Sequence, residues 1–471
     1  MTDDICWLTA TELARGLRER ELSAREVVAA HLDQIERVNP AVNAIVTLLP
    51  ERALEQAAEA DRLLAAGAPV GPLHGIPMAH KDTHDTAGIR TTYGSPVLRD
   101  NVPEADELIV ERLRAAGVIT LGKTNVPEFA AGSHTFNPLF GATRNPYRPD
   151  RSAGGSSGGA AAALACGLHP LADGSDMGGS LRNPASFNNV VGLRPAPGRV
   201  PSHPTTAAWS TMSVPGPLAR TVADVALMMS VVAGPDDRSP IAISEPGAVF
   251  AEPLDRDLTG VRVAWAPDLG FPVDPVVRST LEAQLKVFEG LGCVVEQARP
   301  DLTGADEVFR ALRAWQFDLS LGGVLDRSRE LLKPSLVDNI EQGRRLRGTD
   351  LARAEEQHAK LYHEMRRFFA RYDVLALPVS QVPPFELELE YPGEIDGVPQ
   401  HDYLEWMRSC YYISVTGSPA LSVPGGFTPD GLPVGLQLVG RHRGEFGLLQ
   451  IGHAFEQATG FGLRRPQVLD G

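Results

Sequence analysis

Ser180 closes the stretch "DGSDMGGS", directly behind Gly178 and Gly179. Glycines allow backbone shapes closed to other residues, so the N–H groups from Met177 to Ser180 can converge on one point. A serine beside converging N–H groups could be an acyl-transfer nucleophile next to an oxyanion hole. A plain turn leading into "RNPASF" is the alternative. A second stretch, "SAGGSSGGAAAALACG", holds Ser156. It fits G-x-S-x-G but lacks the lysine of a phosphate-binding Gly-Lys-Ser/Thr loop, and G-x-G-x-x-G is absent. Taken singly it is an anion-binding loop or a turn feeding an alanine-rich helix. The third stretch, "GPLHGIPMAHKD", ends an apolar run on Lys81.

Lysine is scarce here: of 44 basic residues only Lys81, Lys123, Lys286, Lys333 and Lys360 are lysines. Unlike arginine, lysine can lose its proton. Burial lowers its pKa and makes it a base. The three stretches together suggest that Ser180 attacks, Ser156 relays a proton and Lys81 accepts it. A histidine base is the competing reading, with His203, His401 and His453 all downstream of the serine. None of them sits in a segment that reads as an active-site loop. His80, next to Lys81, points to the opposite face if the run is a strand.

These residues need a scaffold. The first sixty-odd residues read as helices. Ser23 and Glu26 form a capping box ahead of "AREVVAAHLDQIERV", and "ERALEQAAEADRLLAAG" stops at Gly67. Beyond them, apolar strand-like runs ("VITLGKT", "GVRVAWA", "CVVEQA", "YDVLALPV", "GLPVGLQLVG") alternate with helical ones such as "ADELIVERLRAAG" and "TVADVALMMSVVAG". Residues 305–371 read as mostly helical. The pattern predicts an α/β fold of three α/β/α layers, with a large, mostly parallel mixed central sheet. No linker or repeat interrupts it, so the 471 residues are expected to form one domain.

Composition narrows the function further. The chain is 43% hydrophobic and 22% charged, with a net charge of −15. An acidic surface repels phosphate backbones, which argues against a nucleic-acid partner. No signal-like segment or membrane-length apolar run is evident, so a cytoplasmic protein with no membrane role is expected. Cys6, Cys166, Cys293 and Cys410 are far apart, which disfavours a zinc site or a disulfide framework.

The motifs "GPLHGIPMAHKD", "LGKTNVPEFAAGS", "NPYRPDRSAGGSSGGAAAA", "GSDMGGSLRNPASFNNVVGLRPAPGRV", "GPLARTVADVALM" and "TGSPALSVPGGFTPDGLPVGLQLVG" resemble those of the amidase signature family along nearly the whole chain. Lys81 precedes Ser156 by 75 residues, and Ser156 precedes Ser180 by 24, as in that family's Ser–cis-Ser–Lys triad. The resemblance implies the three-layer fold, with N-terminal helices over 1–67, the signature core over 68–235, a variable region over 236–405 and a returning sheet segment over 406–471. It implies Ser180 as nucleophile, Ser156 as relay behind a cis peptide bond, and Lys81 as base. Met177, Gly178, Gly179 and Ser180 match the oxyanion hole, and Asp176 and Arg182 match the support of the nucleophile loop. No metal or cofactor is implied. Phe187-Asn188-Asn189 replaces the common Phe-Cys-Gly, His80 a small apolar residue, and Leu377-Pro378-Val379 a common Pro-Thr.

The implied activity is hydrolysis of a C–N bond in a small hydrophobic or aryl amide through a serine acyl-enzyme, with side activity on esters. The expected partners are a small-molecule amide and water, and a homodimer is left open. Expected pocket residues are Gly132, Ser133, Phe136 and Trp209, with Tyr93, Trp406 and Tyr411 as further aromatic candidates. The alternatives are the glutamine-hydrolysing subunit of a tRNA-dependent amidotransferase, a noncatalytic assembly subunit, and a His-dependent α/β-hydrolase.

Overall fold

A computed structural model describes residues 5–469. Two capped helices open it, Ala10–Arg18 and Ala24–Val42. Ser23 N donates to Glu26 Oε2 at 2.9 Å while Glu26 N donates to Ser23 Oγ at 3.2 Å, so the expected capping box is present. The second helix stops at Asn43, whose φ of 52° is left-handed. A third helix, Pro50–Ala65, follows. The segment between them, read above as part of a helical region, contains the strand Ile45–Leu48. Its β-branched Ile45, Val46 and Thr47 suit a strand, and a left-handed stop and Pro50 isolate it from both helices.

That strand belongs to a small sheet in the order Ile45–Leu48, Ile119–Thr124, Pro77–Lys81. Its last pair is parallel. A larger sheet of eight strands runs Val294–Gln297, Arg262–Trp265, Val374–Pro378, Pro433–Val439, Ala420–Phe427, Val191–Arg194, Val214–Ala219, Leu171–Asp176.

The α/β layering and the mixed large sheet are as expected, but antiparallel pairs are in the majority. Only the first two joints are parallel. The other five are antiparallel. The pairing is hidden in the sequence because both faces of the sheet are buried. Along Val374–Pro378, Val374 and Ala376 belong to the apolar cluster that also takes in the helices Pro275–Glu282, Val222–Val232 and Glu445–Thr459. Leu375 and Leu377 belong to a separate cluster that includes residues of Ala305–Ser328 and Gly348–Phe368 on the other side. Burying both faces removes the apolar–polar alternation that marks an antiparallel sheet. Each fully buried Leu or Val side chain is worth about 1.5–3 kcal/mol, so the two layers hold the sheet firmly.

Leu171–Asp176, at the edge of the large sheet, lies beside Pro77–Lys81, at the edge of the small one. Lys81 N donates to Asp173 Oδ1 at 2.7 Å, and His80 Nδ1 contacts Asp173 Oδ2 at 2.5 Å. The segments that carry Lys81 and Ser180 thus meet where the two sheets adjoin.

Candidate active site

Lys81 is the last residue of its strand and is fully buried. Its Nζ lies 2.8 Å from Ser156 Oγ and 3.0 Å from Ser175 Oγ. Burial lowers its pKa to about 7, against the opposing pull of Asp176, Asp173 and Glu107. Near neutral pH much of this amine therefore has a free lone pair, and a neutral amine can take a proton from one serine while donating to the other.

Ser156 follows a cis peptide bond from Gly155 and is buried. Ser133 Oγ donates to Gly155 O at 2.9 Å, and Thr135 Oγ donates to Gly154 O at 2.8 Å. The helix Gly158–Ala165 begins two residues later. Its glycines are packing residues, not a flexible tether. A Cβ on Gly159 would lie 2.4 Å from Asn125 N and 2.6 Å from Ala44 O. The G-x-S-x-G match is thus a close-packed helix start.

Ser180 ends the Met177-Gly178-Gly179 loop that leaves the Leu171–Asp176 strand, and it is partly exposed. Asp176 organises this loop. Its carboxylate accepts from Gly179 N at 2.9 Å, Leu181 N at 3.1 Å, and Arg182 Nε and Nη2 at 3.0 and 2.9 Å. Arg194 Nη1 adds a contact at 3.2 Å. Arg182 also donates to Cys410 O at 2.9 Å, Gln437 Oε1 at 2.7 Å and Ser414 Oγ at 2.7 Å, which ties the loop to the central sheet. Burial would raise the Asp176 pKa, but Arg182 and Arg194 outweigh it and hold the carboxyl well below the usual range.

The Gly179 N–H is thus engaged by Asp176. This corrects the four-donor oxyanion hole expected from the sequence. Among the described residues, the N–H groups of Met177, Gly178 and Ser180 make no hydrogen bond. Gly179 has a structural reason to be glycine: its φ is 122°, and a Cβ there would lie 2.6 Å from Cys410 Cβ.

Ser156, Ser175 and Ser180 all open onto one cavity of about 120 Å³. Met177, Gly178, Gly132 and Ser133 line it as well, with Phe129, Phe309, Arg313, Phe317 and Met407. A second, polar cavity of about 230 Å³ shares Ser175 and Ser213 with it and is lined by Tyr93, His84 and Glu107.

Of the expected pocket residues, Gly132 and Ser133 therefore reach the serine cavity. Phe136 does not. Its ring packs 5.0 Å from His134 and 5.6 Å from Lys333 Nζ. Trp209 is 77% exposed and lies outside the lining. Its segment, "HPTTAAWS", is loop-forming and leaves the indole in solvent. Trp406 and Tyr411 are core residues, stacked on Phe187 and on Phe309. His203, His401 and His453 line neither cavity.

Sequence reasoning missed Asp173, Ser175 and the Phe309-Arg313-Phe317 face. Asp173 and Ser175 alternate along the strand just before the nucleophile loop, and Phe309, Arg313 and Phe317 recur every four residues on one helix. Both patterns are signals of a shared face. Among the described residues, no group of three or more His, Cys, Asp or Glu could hold a metal ion, and no helix is long and apolar enough to cross a membrane.

The amidase family profile matches residues 26–449. The chain is 37% identical to an acylamidase from Rhodococcus erythropolis, covering 98% of this chain and 97% of that protein. It is 36% identical to a glutamyl-tRNA(Gln) amidotransferase subunit from Thermosynechococcus vestitus, over 97% of this chain and 99% of that one. Its fold is similar to that of a bacterial aryl acylamidase of the amidase signature enzymes, with a TM-score of 0.90 at 28% identity, covering 98% and 99% of the two chains. A 6-aminohexanoate cyclic dimer hydrolase aligns with a TM-score of 0.88 at 27% identity over the same shares. The chain belongs to the amidase family and is a hydrolase of amide C–N bonds.

Proposed function

We propose that the chain hydrolyses small hydrophobic or aryl amides, with Ser180 as nucleophile, Ser156 as proton relay and Lys81 as base. The observation that carries this reading is the 2.8 Å contact between Lys81 Nζ and Ser156 Oγ, beside a cavity that also holds Ser180. Neutral Lys81 draws a proton through Ser156 from the Ser180 hydroxyl. Ser180 Oγ attacks the amide carbonyl, and the N–H groups of Met177, Gly178 and Ser180 receive the oxyanion. Losing one such donor typically costs about 2.7–4 kcal/mol of transition-state stabilisation. Ser156 returns a proton to the departing amine, and water then releases the acyl group from Ser180. Asp176 and Arg182 position the loop without touching substrate. The apolar part of the lining (Phe129, Phe309, Phe317, Met177 and Met407) supports an apolar or aromatic acyl or amine group.

Glutamine hydrolysis within an amidotransferase is the second reading, motivated by the nearly equal likeness to the amidotransferase relative. Against it, no acidic side chain lines the serine cavity to meet an α-ammonium group. Incubating the chain alone with anilides, alkyl amides and L-glutamine separates the two. Anilide turnover is expected. Ammonia release from glutamine with no turnover of any other amide would replace the proposal by the second reading.

A further inference from the structure

One charged side chain lines the serine cavity. Arg313 sits on the long helix Ala305–Ser328, and Phe309 and Phe317, four residues to either side, line the cavity with it. Arg313 is only 4% exposed. Its partners are neutral. One Nη donates to Asn339 Oδ1, the other to Tyr403 Oη at 2.5 Å. Its charge lies 4.1 Å from the Phe317 ring centre and 5.4 Å from that of Tyr403. Among the described residues no carboxylate pairs with it. Three other buried arginines do have such partners: Arg182 and Arg194 meet Asp176, and Arg199 meets Glu445, whereas Arg220 is held by the carbonyls of His169 and Leu8.

The neighbouring cation does not relieve it. Lys333, which donates to Ala131 O, lies 5.8 Å from the Tyr403 ring and adds positive charge to the same end. The nearby carboxylates are engaged elsewhere. Glu128 accepts from Ser95 Oγ at 2.7 Å and from Lys333 N at 2.9 Å. Glu390 is bound by Ser335 on the surface. A buried guanidinium keeps its charge, so an unpaired one is costly until an anion meets it. A guanidinium has five donor hydrogens, and only two bonds are made here, so a planar carboxylate could still be received.

We infer that the amide this chain hydrolyses carries a carboxylate remote from the scissile bond, and that Arg313 binds it. This rests on the amidase reading and refines it. The apolar wall holds the body of the substrate, and Arg313 holds its anionic end. Free acids of the form carboxyl–chain–amide, or amides of aminobenzoate type, fit this description, and their uncharged counterparts leave the guanidinium unpaired.

The test compares matched pairs on the full chain: glutaric and adipic mono-anilides against pentananilide and hexananilide, and 4-acetamidobenzoate against acetanilide. In at least one pair, wild-type kcat/KM is expected to favour the carboxylate by about tenfold or more, mostly through KM. Arg313→Met is expected to collapse that ratio to near one or below, and Arg313→Lys to keep part of it. Because the readout is a ratio within one variant, loss of overall activity does not obscure it. Should Arg313→Met fail to fold, by circular dichroism, Arg313→Gln replaces it with the same expected collapse. Equal or inverted preference in every wild-type pair, with the neutral anilides still hydrolysed, overturns the inference and leaves the amidase reading standing. So does a preference that survives Arg313→Met. No turnover of any anilide, charged or neutral, removes the small hydrophobic or aryl amide reading and the inference together.

Discussion

Gly179 N donates to Asp176 Oδ1 at 2.9 Å, and the Arg182 guanidinium closes on the same carboxylate at 2.9 and 3.0 Å. One buried acid thus fixes both the backbone that presents Ser180 and the side chain that ties this loop to the central sheet.

Asp176→Asn keeps the shape and removes the charge, leaving Arg182 and Arg194 buried beside a neutral amide. A loss of about 3–5 kcal/mol of folding stability is expected. The Asp176 pKa is depressed in the folded state, so its contribution is present above the unfolded value of about 3.9 and is lost as pH falls through the lower folded value. Urea denaturation of both proteins at pH 7 measures the difference. A difference under about 1 kcal/mol would show that the ionised carboxylate does not hold the loop.

Lys81 should set an acidic limb in kcat/KM near pH 7, with activity rising as the amine loses its proton. The same shift costs stability. Between pH 7 and about 10.4 the unfolded chain binds a proton at this site that the folded chain does not, so stability rises with pH over that window. Lys81→Met should therefore abolish activity and, at pH 7, stabilise the fold by up to about 4 kcal/mol. A fall in melting temperature for that variant would contradict a neutral, desolvated lysine.

Ser156 and Ser180 should separate chemically. Ser180→Ala is expected to lose turnover and the acyl adduct seen by intact-mass measurement. Ser156→Ala should lose much more rate on an anilide than on a nitrophenyl ester with the same acyl group, because the amine needs a proton to leave and nitrophenolate needs it far less. Equal losses on the two substrates would assign Ser156 to orientation alone.

Gly179→Ala places a methyl group 2.6 Å from Cys410 Cβ at a φ of 122°. Both effects displace the loop, so a drop of at least about 10²-fold in kcat is expected, together with a lower melting temperature. Pairing it with Cys410→Gly removes the Cys410 contact but not the φ or the 2.7 Å approach to Asn183 Nδ2. Full recovery of kcat in the double variant would place the whole cost in the contact.

The candidate catalytic residues are legible in the sequence because each breaks a local habit. Lys81 is one of five lysines in an arginine-rich chain, and both serines sit among glycines. The Ser23 capping box is legible because its bonds are local. The pairing of the large sheet is not, because burial on both faces makes Leu375 and Ala376 equally apolar. Nor is the pocket. Phe309, Arg313 and Phe317 mark a helix face, but no local feature says that the face meets Met177 and Gly178. Trp209 misleads for the opposite reason: a large aromatic looks useful wherever it stands, and this one stands in solvent.

Lys81 ends a strand of the small sheet, and the Ser180 loop leaves the edge strand of the large one. Asp173 stitches the two edges by accepting from Lys81 N and meeting His80. Ser156 stands astride the join: Gly159 is pressed against Ala44 and Asn125 on one side, and Gly174 faces Ser157 on the other. The spacing of the reacting groups is therefore a property of a weld between two plates and not of either plate. Slippage along that weld would disarm the enzyme while leaving both sheets intact.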